Sequence, residues 1–319
     1  MTHESVLCYI NQSHIIMIKR TLYFGNPALL STKNAQLVFR QPDDKTKTER
    51  TFPIEDLGIV VLDHQQITIT HGLISRLLDN NCALITCNDR HMPTGLLLPL
   101  NGNSLQNERF RQQIDCSTPL RKQLWQQTIQ AKIANQAAVL TQCVPGVQTG
   151  NMLAWVKQVK SDDSDNLEGR AAAYYWRNIF PEMTDFVRGR DEDYPNALLN
   201  YGYAILRAMV ARSLAGCGLL PTLGIHHHNR YNAYCLADDI MEPYRPVVDR
   251  LVNEIIKQIP PEESFDLTTD VKRQLLAIPT IEVRIAGHRS PLMVAVETTT
   301  SSLQKCFAGT LRIIIYPEL

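Results

Sequence analysis

The stretch NALLNYGYAILRAMVARSLAGCG, residues 196–218, decides the fold of the second half of the chain. Apolar residues occur almost all the way round this segment when it is drawn as a helix, which is typical of a helix at the centre of a bundle. Arg207 and Arg212 interrupt the segment, and an arginine in such a place needs a carboxylate or a phosphate as its partner. We therefore predict a helical bundle around this segment.

Helical periodicity continues on both sides of the central segment. Two stripes match the spacing of an amphipathic helix, and they are Leu120, Leu124, Trp125, Ile129 and Ile133, then Val248, Leu251, Val252, Ile255, Ile256 and Ile259. Later, IEVRIAGHRSPLMVAV (281–296) alternates between apolar and polar residues and predicts a two-stranded ribbon.

The first hundred residues carry the pattern of strands. Short β-branched runs with turn residues between them are NAQLVFR (34–40), GIVVLD (58–63), QITIT (66–70) and CALITC (82–87). GLISRLLDN (72–80) has helical spacing, and the charged segment RQPDDKTKTER (40–50) predicts an exposed hairpin loop. These patterns predict a compact, mostly antiparallel β domain with one helix on it.

At 319 residues the chain exceeds the usual size of one domain, so we predict two. The fold class is α+β, with a small β domain before a larger helical one. The predicted boundaries are an N-terminal extension at 1–16 that packs loosely or not at all, a β-rich domain at 17–100, a polar linker at 101–113 and a helical domain at 114–319.

Composition excludes several classes of protein. The 32 Lys and Arg residues balance the 32 Asp and Glu residues, so any surface for nucleic acid must be a local patch. The eight cysteines form no C-x-x-C pair, which disfavours a zinc ribbon and fits a reducing compartment. No secretory leader or transmembrane run is evident, so we expect a cytoplasmic protein with no membrane partner.

The candidate chemistry begins with GIHHHNRYNAYCLADDIMEPYRPVVD, residues 224–249. His226, His227 and His228 cannot all point in one direction, whether the segment is extended or helical. Asp238 and Asp239 could lie on the same side of a helical turn as the later carboxylate of this stretch. The residues alone leave open which histidine, if any, meets these acids.

Proline placement predicts that Glu242 lies at a helix start or kink. Pro243 and Pro246 suit the first turn of a helix and disfavour helix at the residue before each of them. A carboxylate there could be held rigidly toward a site. It could equally be an N-terminal acid that the helix dipole favours, and Asp238 or Asp239 could serve as a cap.

A third carboxylate, Glu168, lies in SDDSDNLEGRAAAYYW (161–176). Asp165 could cap a helix there, with Glu168 at the capping-box position, and this is the commoner role for such an acid. However, the small side chains of Ala171 and Ala172 lie on the same face as Glu168. They would let another helix or a substrate backbone approach its carboxylate.

One imidazole with two carboxylates suits Mg²⁺ or Mn²⁺. Zinc is possible with such a set, but the chain has neither H-E-x-x-H nor a cysteine ligand pattern. Arg170, Arg230 and Arg245 flank the acids, and arginine binds phosphate through paired contacts. A metal beside phosphate-binding arginines indicates phosphodiester chemistry.

Several segments together resemble the CRISPR-associated endonuclease and integrase family Cas1, in the form found in type II systems. They are EGRAAAYYW, NALLNYGYAIL, LPTLGIHHHNRYNAYCLADDIMEPYRPVVD, IEDLGIVVLD and ITITHGLISRLLDNNCALITCNDRHMPTGLLLP. The resemblance runs from about Met17 to near the last residue given. It implies an N-terminal β-sandwich domain used in homodimerisation and an all-helical, metal-dependent catalytic domain.

The resemblance also implies a ligand set. Its E-G-x-A-A, G-x-x-H and D-x-x-E segments place the Mg²⁺ or Mn²⁺ ligands on Glu168, His227 and Glu242. Asp239 then becomes an auxiliary acid, and Asp238 lies outside the site.

Other polar residues lie in or next to these motifs. We expect Arg245 to pair with a ligating acid and Arg230 to contact phosphate, with Arg170 beside the motifs. His226 and His228 either approach DNA phosphates or are surface imidazoles of little consequence.

The activity implied is transesterification, in which the 3′-hydroxyl of a short DNA fragment attacks a phosphodiester of the CRISPR repeat. One phosphodiester replaces another, so no ATP is needed, and the chain has no G-x-x-x-x-G-K-[ST] loop. The expected partners are branched or duplex DNA, a second copy of the chain, the small protein Cas2, and Cas9 with other type II adaptation proteins. A zinc-dependent hydrolase and a catalytically silent DNA-binding scaffold are the alternatives.

Overall fold

The computed structural model describes residues 19–42, 48–183, 186–189, 194–258 and 267–319. The chain forms two compact units, Met1–Ser104 and Leu105–Leu319. The predicted extension at 1–16 and residues 43–47 of the predicted hairpin loop lie outside the described residues. No helix within the described ranges is long and apolar enough to cross a membrane.

Within its described residues, the first unit contains eight strands in two sheets and one α-helix. The strands are β1 (Arg20–Phe24), β2 (Ala28–Lys33), β3 (Gln36–Arg40), β4 (Arg50–Pro53), β5 (Leu57–Leu62), β6 (Ile67–Ile69), β7 (Ala83–Cys87) and β8 (Pro93–Leu97), and the helix is α1 (His71–Asp79). The sheets have the orders β1-β5-β7-β8 and β4-β3-β2-β6. Buried residues of both sheets and of α1, including Leu22, Leu30 and Leu73, form one core.

The prediction of a mostly antiparallel domain is wrong. The pairs β1–β5, β5–β7 and β2–β6 are parallel, whereas β2–β3, β3–β4 and β7–β8 are antiparallel. Strand β5 shows the reason, because five of its six residues are buried, as is usual for a strand covered on both faces. Its apolar run predicts a strand but carries no information about the direction of its neighbours.

The second unit is mainly helical, which confirms the α+β class. Its helices are α2 (Gln106–Ile114), α3 (Thr118–Cys143), α4 (Gly150–Gln158), α5 (Leu167–Ile179), α6 (Asn196–Gly216), α7 (Cys235–Met241), α8 (Arg245–Gln258), α9 (Thr269–Leu275) and α10 (Leu292–Phe307). Helix α6 is buried along most of its length, as its sequence predicts. A short ribbon consists of β9 (Glu282–Ile285) and β10 (His288–Pro291).

Two boundaries differ from the sequence expectation. The segment expected to be a linker contains α2, and Gln113 at its end donates to the carbonyl oxygens of Leu220 and Leu223, so this helix belongs to the second unit. The expected ribbon ends at Pro291, where α10 begins. The two errors have different causes. A polar surface helix such as α2 resembles a linker, and the short apolar run before α10 does not distinguish strand from helix.

Helix α3 is the structural axis of the second unit. Ser117 caps it by accepting a hydrogen bond from the amide of Leu120, and the predicted apolar stripe is buried from Leu124 onward. The same buried face also carries polar side chains, among them Thr128, Lys132 and Asn135. Buried polar groups require partners, so each of them ties α3 to another segment.

One of those segments is residues 312–317, here called the strap. Gln127 binds it at two places, by donating to the carbonyl of Arg312 and accepting from the amide of Ile314. Thr128 pairs with the hydroxyl of Tyr316 at 2.8 Å.

Asn135 connects the strap to another part of the bundle. Its amide nitrogen donates to the carbonyl oxygens of Pro317, at 3.0 Å, and of Pro243, at 2.8 Å. The strap therefore packs against the segment that includes Glu242.

We expect Asn135→Leu to lower the free energy of unfolding by roughly 2–4 kcal/mol, because it leaves two buried carbonyl groups without a donor. Urea denaturation followed by circular dichroism measures this loss. Gln127→Leu is the matched control, since it also removes contacts with the strap but lies near the surface, where water replaces them. Equal losses for the two variants would contradict a special role of Asn135.

Candidate active site

Lys132 brings two distant carboxylates together. Its ammonium nitrogen on α3 lies 2.6 Å from Oε1 of Glu168 and 2.6 Å from Oε2 of Glu242. Glu168 is in the first turn of α5, and Glu242 begins the short 3₁₀ turn Glu242–Tyr244 between α7 and α8. The structure thus gathers the two predicted glutamates at one buried cation.

The start of α5 fixes the position of Glu168. Asp163 accepts hydrogen bonds from the amides of Leu167 and Glu168, each at 2.9 Å. Asn166 is the cap and accepts from the amide of Gly169. Together these contacts anchor the first turn of the helix and leave the side chain of Glu168 to contact Lys132.

The prediction that Asp165 caps this helix is wrong by one residue. Asp165 pairs with Lys160 at 2.7 Å. Asn166 takes the cap because the chain adopts a left-handed conformation there, with φ of 50°, which asparagine tolerates better than most residues. A capping pattern in the sequence does not reveal such a turn.

Glu242 is buried at the junction that its prolines predicted, directly after α7. Oε1 lies 3.0 Å from the guanidinium of Arg245, so the expected pairing of that arginine with the acid is present. Burial raises the pKa of Glu242, but Arg245 and Lys132 outweigh it and the pKa is lowered overall. Burial likewise lowers the pKa of Lys132, and Glu242 and Glu168 reverse the shift. Both groups are therefore charged at neutral pH.

Asp239 orients His227. Its Oδ1 lies 2.5 Å from Nδ1 of the imidazole. The carboxylate also accepts hydrogen bonds from the backbone amides of Ile225, His226 and His227. This contact leaves Nε2 as the ring nitrogen available to a ligand. Hydrogen bonding to Asp239 raises the pKa of His227, burial opposes the rise, and the nearby charges of Glu242 and Glu168 add to it.

The loop before α7 requires a glycine. A Cβ atom on Gly224 would lie 2.3 Å from the carbonyl oxygen of His227 and 2.7 Å from Oδ2 of Asp239. Contacts that short do not occur for real side chains, so any other residue would displace either the backbone or the carboxylate. The glycine of the G-x-x-H segment is thus a steric requirement of the Asp239–His227 pair.

The three consecutive histidines have different surroundings. His226 stacks on Trp125, with ring centroids 4.1 Å apart and planes within 3°, and its Nδ1 lies 3.5 Å from Oδ1 of Asp162. Trp125 also meets His227 edge-on at 5.6 Å. His228 is exposed, and its Nδ1 lies 2.8 Å from the carbonyl oxygen of His226. The rings of His226 and His228 therefore have other partners, and the ring of His227 is the one that contacts Asp239.

The remaining arginines make contacts of their own. Arg170 lies over the ring of Trp155 at 5.5 Å, and exposed Arg230 lies over that of Tyr231 at 4.6 Å. On α6, Arg207 pairs with Asp238 and Arg212 with Glu297. Both arginines of α6 therefore pair with carboxylates, although only Arg212 is buried, and Asp238 is engaged outside the glutamate pair.

The sequence did not identify Lys132 or Trp125 as part of the candidate site, although Lys132 contacts both glutamates and Trp125 contacts two of the histidines. Lys132 lies three residues after Ile129 and just before Ile133, so it is a charged residue within an apolar stripe. A lysine in such a place requires a buried anion as partner, and this signal could have identified it. Trp125 gave no such signal, because an aromatic residue in an apolar stripe is ordinary core.

The donor set fits a divalent cation. Glu168 and Glu242 direct one oxygen each toward the same point, and buried Oε2 of Glu242 receives no regular hydrogen bond from any described residue. Two carboxylates with an imidazole nitrogen suit Mn²⁺ or Mg²⁺. Within the described part of the chain, however, no three His, Cys, Asp or Glu side chains are already grouped closely enough to hold a metal.

Comparison with known proteins gives the family. A family model described as CRISPR associated protein Cas1 matches residues 22–277, which include Glu168, His227 and Glu242. The chain belongs to the Cas1 family. The resemblance inferred from the motifs is thereby confirmed.

A curated relative and two solved structures are similar to this Cas1 chain. The CRISPR-associated endonuclease Cas1 of Neisseria meningitidis serogroup C (strain 8013) is 33% identical over 90% of this chain and 92% of its own. A casposase bound to integration product has a TM-score of 0.74 at 20% identity, covering 92% of this chain and 91% of its own. A chain of a Cas6-RT-Cas1–Cas2 complex gives 0.74 at 21% identity, covering 96% of this chain and 37% of its own. These two structures share the fold.

We expect Asp239→Asn to lower the pKa of His227, because it removes a charged hydrogen-bond partner from Nδ1. The raised folded pKa means that this pair stabilises the protein fully below about pH 6.5, the unfolded value, and that the contribution is lost as pH rises through the folded value. Histidine NMR titration measures the shift, with His227→Gln assigning the signal. Asp238→Asn is the control and should leave that titration unchanged. An unaltered titration in Asp239→Asn would refute the pairing.

Proposed function

We propose that this Cas1 chain is a metal-dependent DNA endonuclease and integrase of CRISPR adaptation. It joins the 3′-hydroxyl ends of short DNA fragments to the CRISPR repeat. The observation that carries the proposal is the convergence of Glu168 and Glu242 on one cation, beside a histidine oriented by Asp239. The endonuclease name of the Neisseria relative and the integration product bound to the casposase support it.

The ligands we assign to Mg²⁺ or Mn²⁺ are Glu168, Glu242 and Nε2 of His227. A metal held by these residues would supply Lewis acidity toward a phosphodiester and would lower the pKa of the attacking hydroxyl. The other residues prepare the donors. Asp239 accepts a hydrogen bond from the N–H at Nδ1 of His227, which keeps Nε2 free to ligate, and Arg245 offsets the charge of Glu242.

The reaction is an exchange of phosphodiesters. The 3′-oxygen of the fragment forms a P–O bond to a repeat phosphate, and the bond from that phosphorus to a 3′-oxygen of the repeat breaks. The proton of the attacking hydroxyl is lost, and the released 3′-oxygen gains one. With water in place of the fragment, the same exchange is hydrolysis, which accounts for both an integrase and an endonuclease activity.

DNA contacts come from the exposed groups around the glutamate pair. The net charge is zero, so binding must depend on a local patch. We propose that His226, His228, Arg230 and Arg170 contribute to it, since all four are at least partly exposed. The stack of His226 on Trp125 keeps one imidazole face available beside His227.

We further propose partners for the two units. The first unit mediates homodimerisation, and Cas2 joins the dimers, as the similarity to a chain of a Cas6-RT-Cas1–Cas2 complex supports. Cas9 and other type II adaptation proteins are proposed from the motif resemblance alone. Duplex or branched DNA that carries the repeat is the substrate.

A strand-transfer assay with Mn²⁺, a repeat-bearing plasmid and a short duplex tests the function. We expect Glu168→Ala, His227→Ala and Glu242→Ala each to reduce joined product by about 100-fold or more, because metal catalysis contributes several kcal/mol. Circular dichroism checks that each variant folds. Glu254→Ala, on the exposed face of α8, is the matched control and should join normally.

Other outcomes of this assay would favour other assignments. Normal joining by His227→Ala together with its loss in His226→Ala would move the ligand to the neighbouring histidine. Binding of branched DNA without any joining by the wild type would favour a silent scaffold. Tightly bound zinc with no DNA activity in Mn²⁺ would favour a zinc-dependent hydrolase.

A further inference from the structure

Lys132 is a cation already present where the proposed metal would bind. Its ammonium nitrogen lies 2.6 Å from one oxygen of each proposed glutamate ligand. Mg²⁺ binds carboxylate oxygens at about 2.0–2.1 Å, so a metal that contacts the same two oxygens would occupy nearly the same space. The ammonium and the metal cannot both hold those contacts.

Charge leads to the same conclusion. The carboxylates of Glu168 and Glu242 face the charged groups of Lys132 and Arg245. These two acids and two bases together carry no net charge, so the protein can keep the acids close without a metal. Adding a divalent ion while every cation stayed in place would leave the buried cluster with an excess of positive charge, which is unfavourable in a medium of low polarity.

Lysine is suited to such an exchange. Its charge is at the end of a flexible four-carbon chain, so the ammonium can leave the glutamates while α3 remains where Thr128 and Asn135 hold it. Arg245 differs in that it contacts the other oxygen of Glu242, Oε1, at 3.0 Å. Of the two oxygens of Glu242, only Oε2 would therefore pass from the ammonium to the metal, together with Oε1 of Glu168.

We propose that Lys132 is an intramolecular competitor of the metal, which holds Glu168 and Glu242 together in the metal-free protein and is displaced when the ion binds. The inference rests on the proposed metal site. It makes Lys132 a positioning residue with two effects of opposite direction. The ammonium stabilises the metal-free fold and weakens binding of the ion.

Mn²⁺ titration of the full chain without DNA, followed by electron paramagnetic resonance of the free ion, tests the proposal. We expect Lys132→Met to bind Mn²⁺ at least about tenfold more tightly than the wild type. In this variant the ion no longer has to break the charge-assisted hydrogen bond from Lys132 to Glu168. Lys157→Met removes the same charge from an exposed position on α4 and should bind like the wild type. Lys132→Gln replaces Lys132→Met if the latter does not fold.

Thermal denaturation provides a second readout. In EDTA we expect Lys132→Met to unfold at a lower temperature than Lys157→Met, because two acids then lack their shared cation. Saturating Mn²⁺ should remove most of this difference. A purely structural lysine would lower the unfolding temperature equally with and without the ion.

The outcomes separate the inference from the proposed function. If wild type binds Mn²⁺, Glu168→Ala does not, and Lys132→Met binds no more tightly than wild type, the competition is refuted while the metal site stands. If Glu168→Ala binds Mn²⁺ as wild type does, the proposed ligand set itself is wrong, and the inference fails with it.

Discussion

A buried lysine that must be paired with two carboxylates is the constraint on which the second unit depends. Lys132 is on α3, whereas Glu168 and Glu242 come from the start of α5 and from the α7–α8 junction. An ammonium in the core is tolerated only while its anions stay within reach. The three segments are therefore held in register by charge as well as by apolar packing, and the core of the bundle and its candidate site are the same set of contacts.

Asp239 serves the local fold and the chemistry with one carboxylate. Asp239 accepts hydrogen bonds from backbone amides that shape the loop before α7. It also accepts a hydrogen bond from the imidazole of His227, which belongs to that loop. Gly224 makes room for this arrangement. Since the same oxygens perform both tasks, changes at Asp239 alter the backbone and the ring together, and only measurements on His227 itself separate the two.

The sequence predicts those features that follow from periodicity or from motif spacing. Periodicity predicts the central helix α6 and helix α8. The proposed ligands Glu168, His227 and Glu242 come from the resemblance to the Cas1 motifs, since the residues alone leave the choice of histidine open. Strand direction in the first unit does not follow, because β5 has the same apolar run whichever way its neighbours point. The motifs do not predict the role of Lys132, because its partners are 36 and 110 residues away in the sequence. The capping role of Asn166 is not predicted either, because it depends on a left-handed backbone conformation at this residue.

The strap has a consequence for how the protein is made. Asn135 joins Pro243 to Pro317, so the surroundings of Glu242 include residues that leave the ribosome after α10, the last helix that the structure describes. A nascent chain that has not yet reached residue 317 lacks one of those two bonds. Full packing around the glutamate pair therefore has to wait until residue 317 has been synthesised, after the helices that position Glu168 and Glu242.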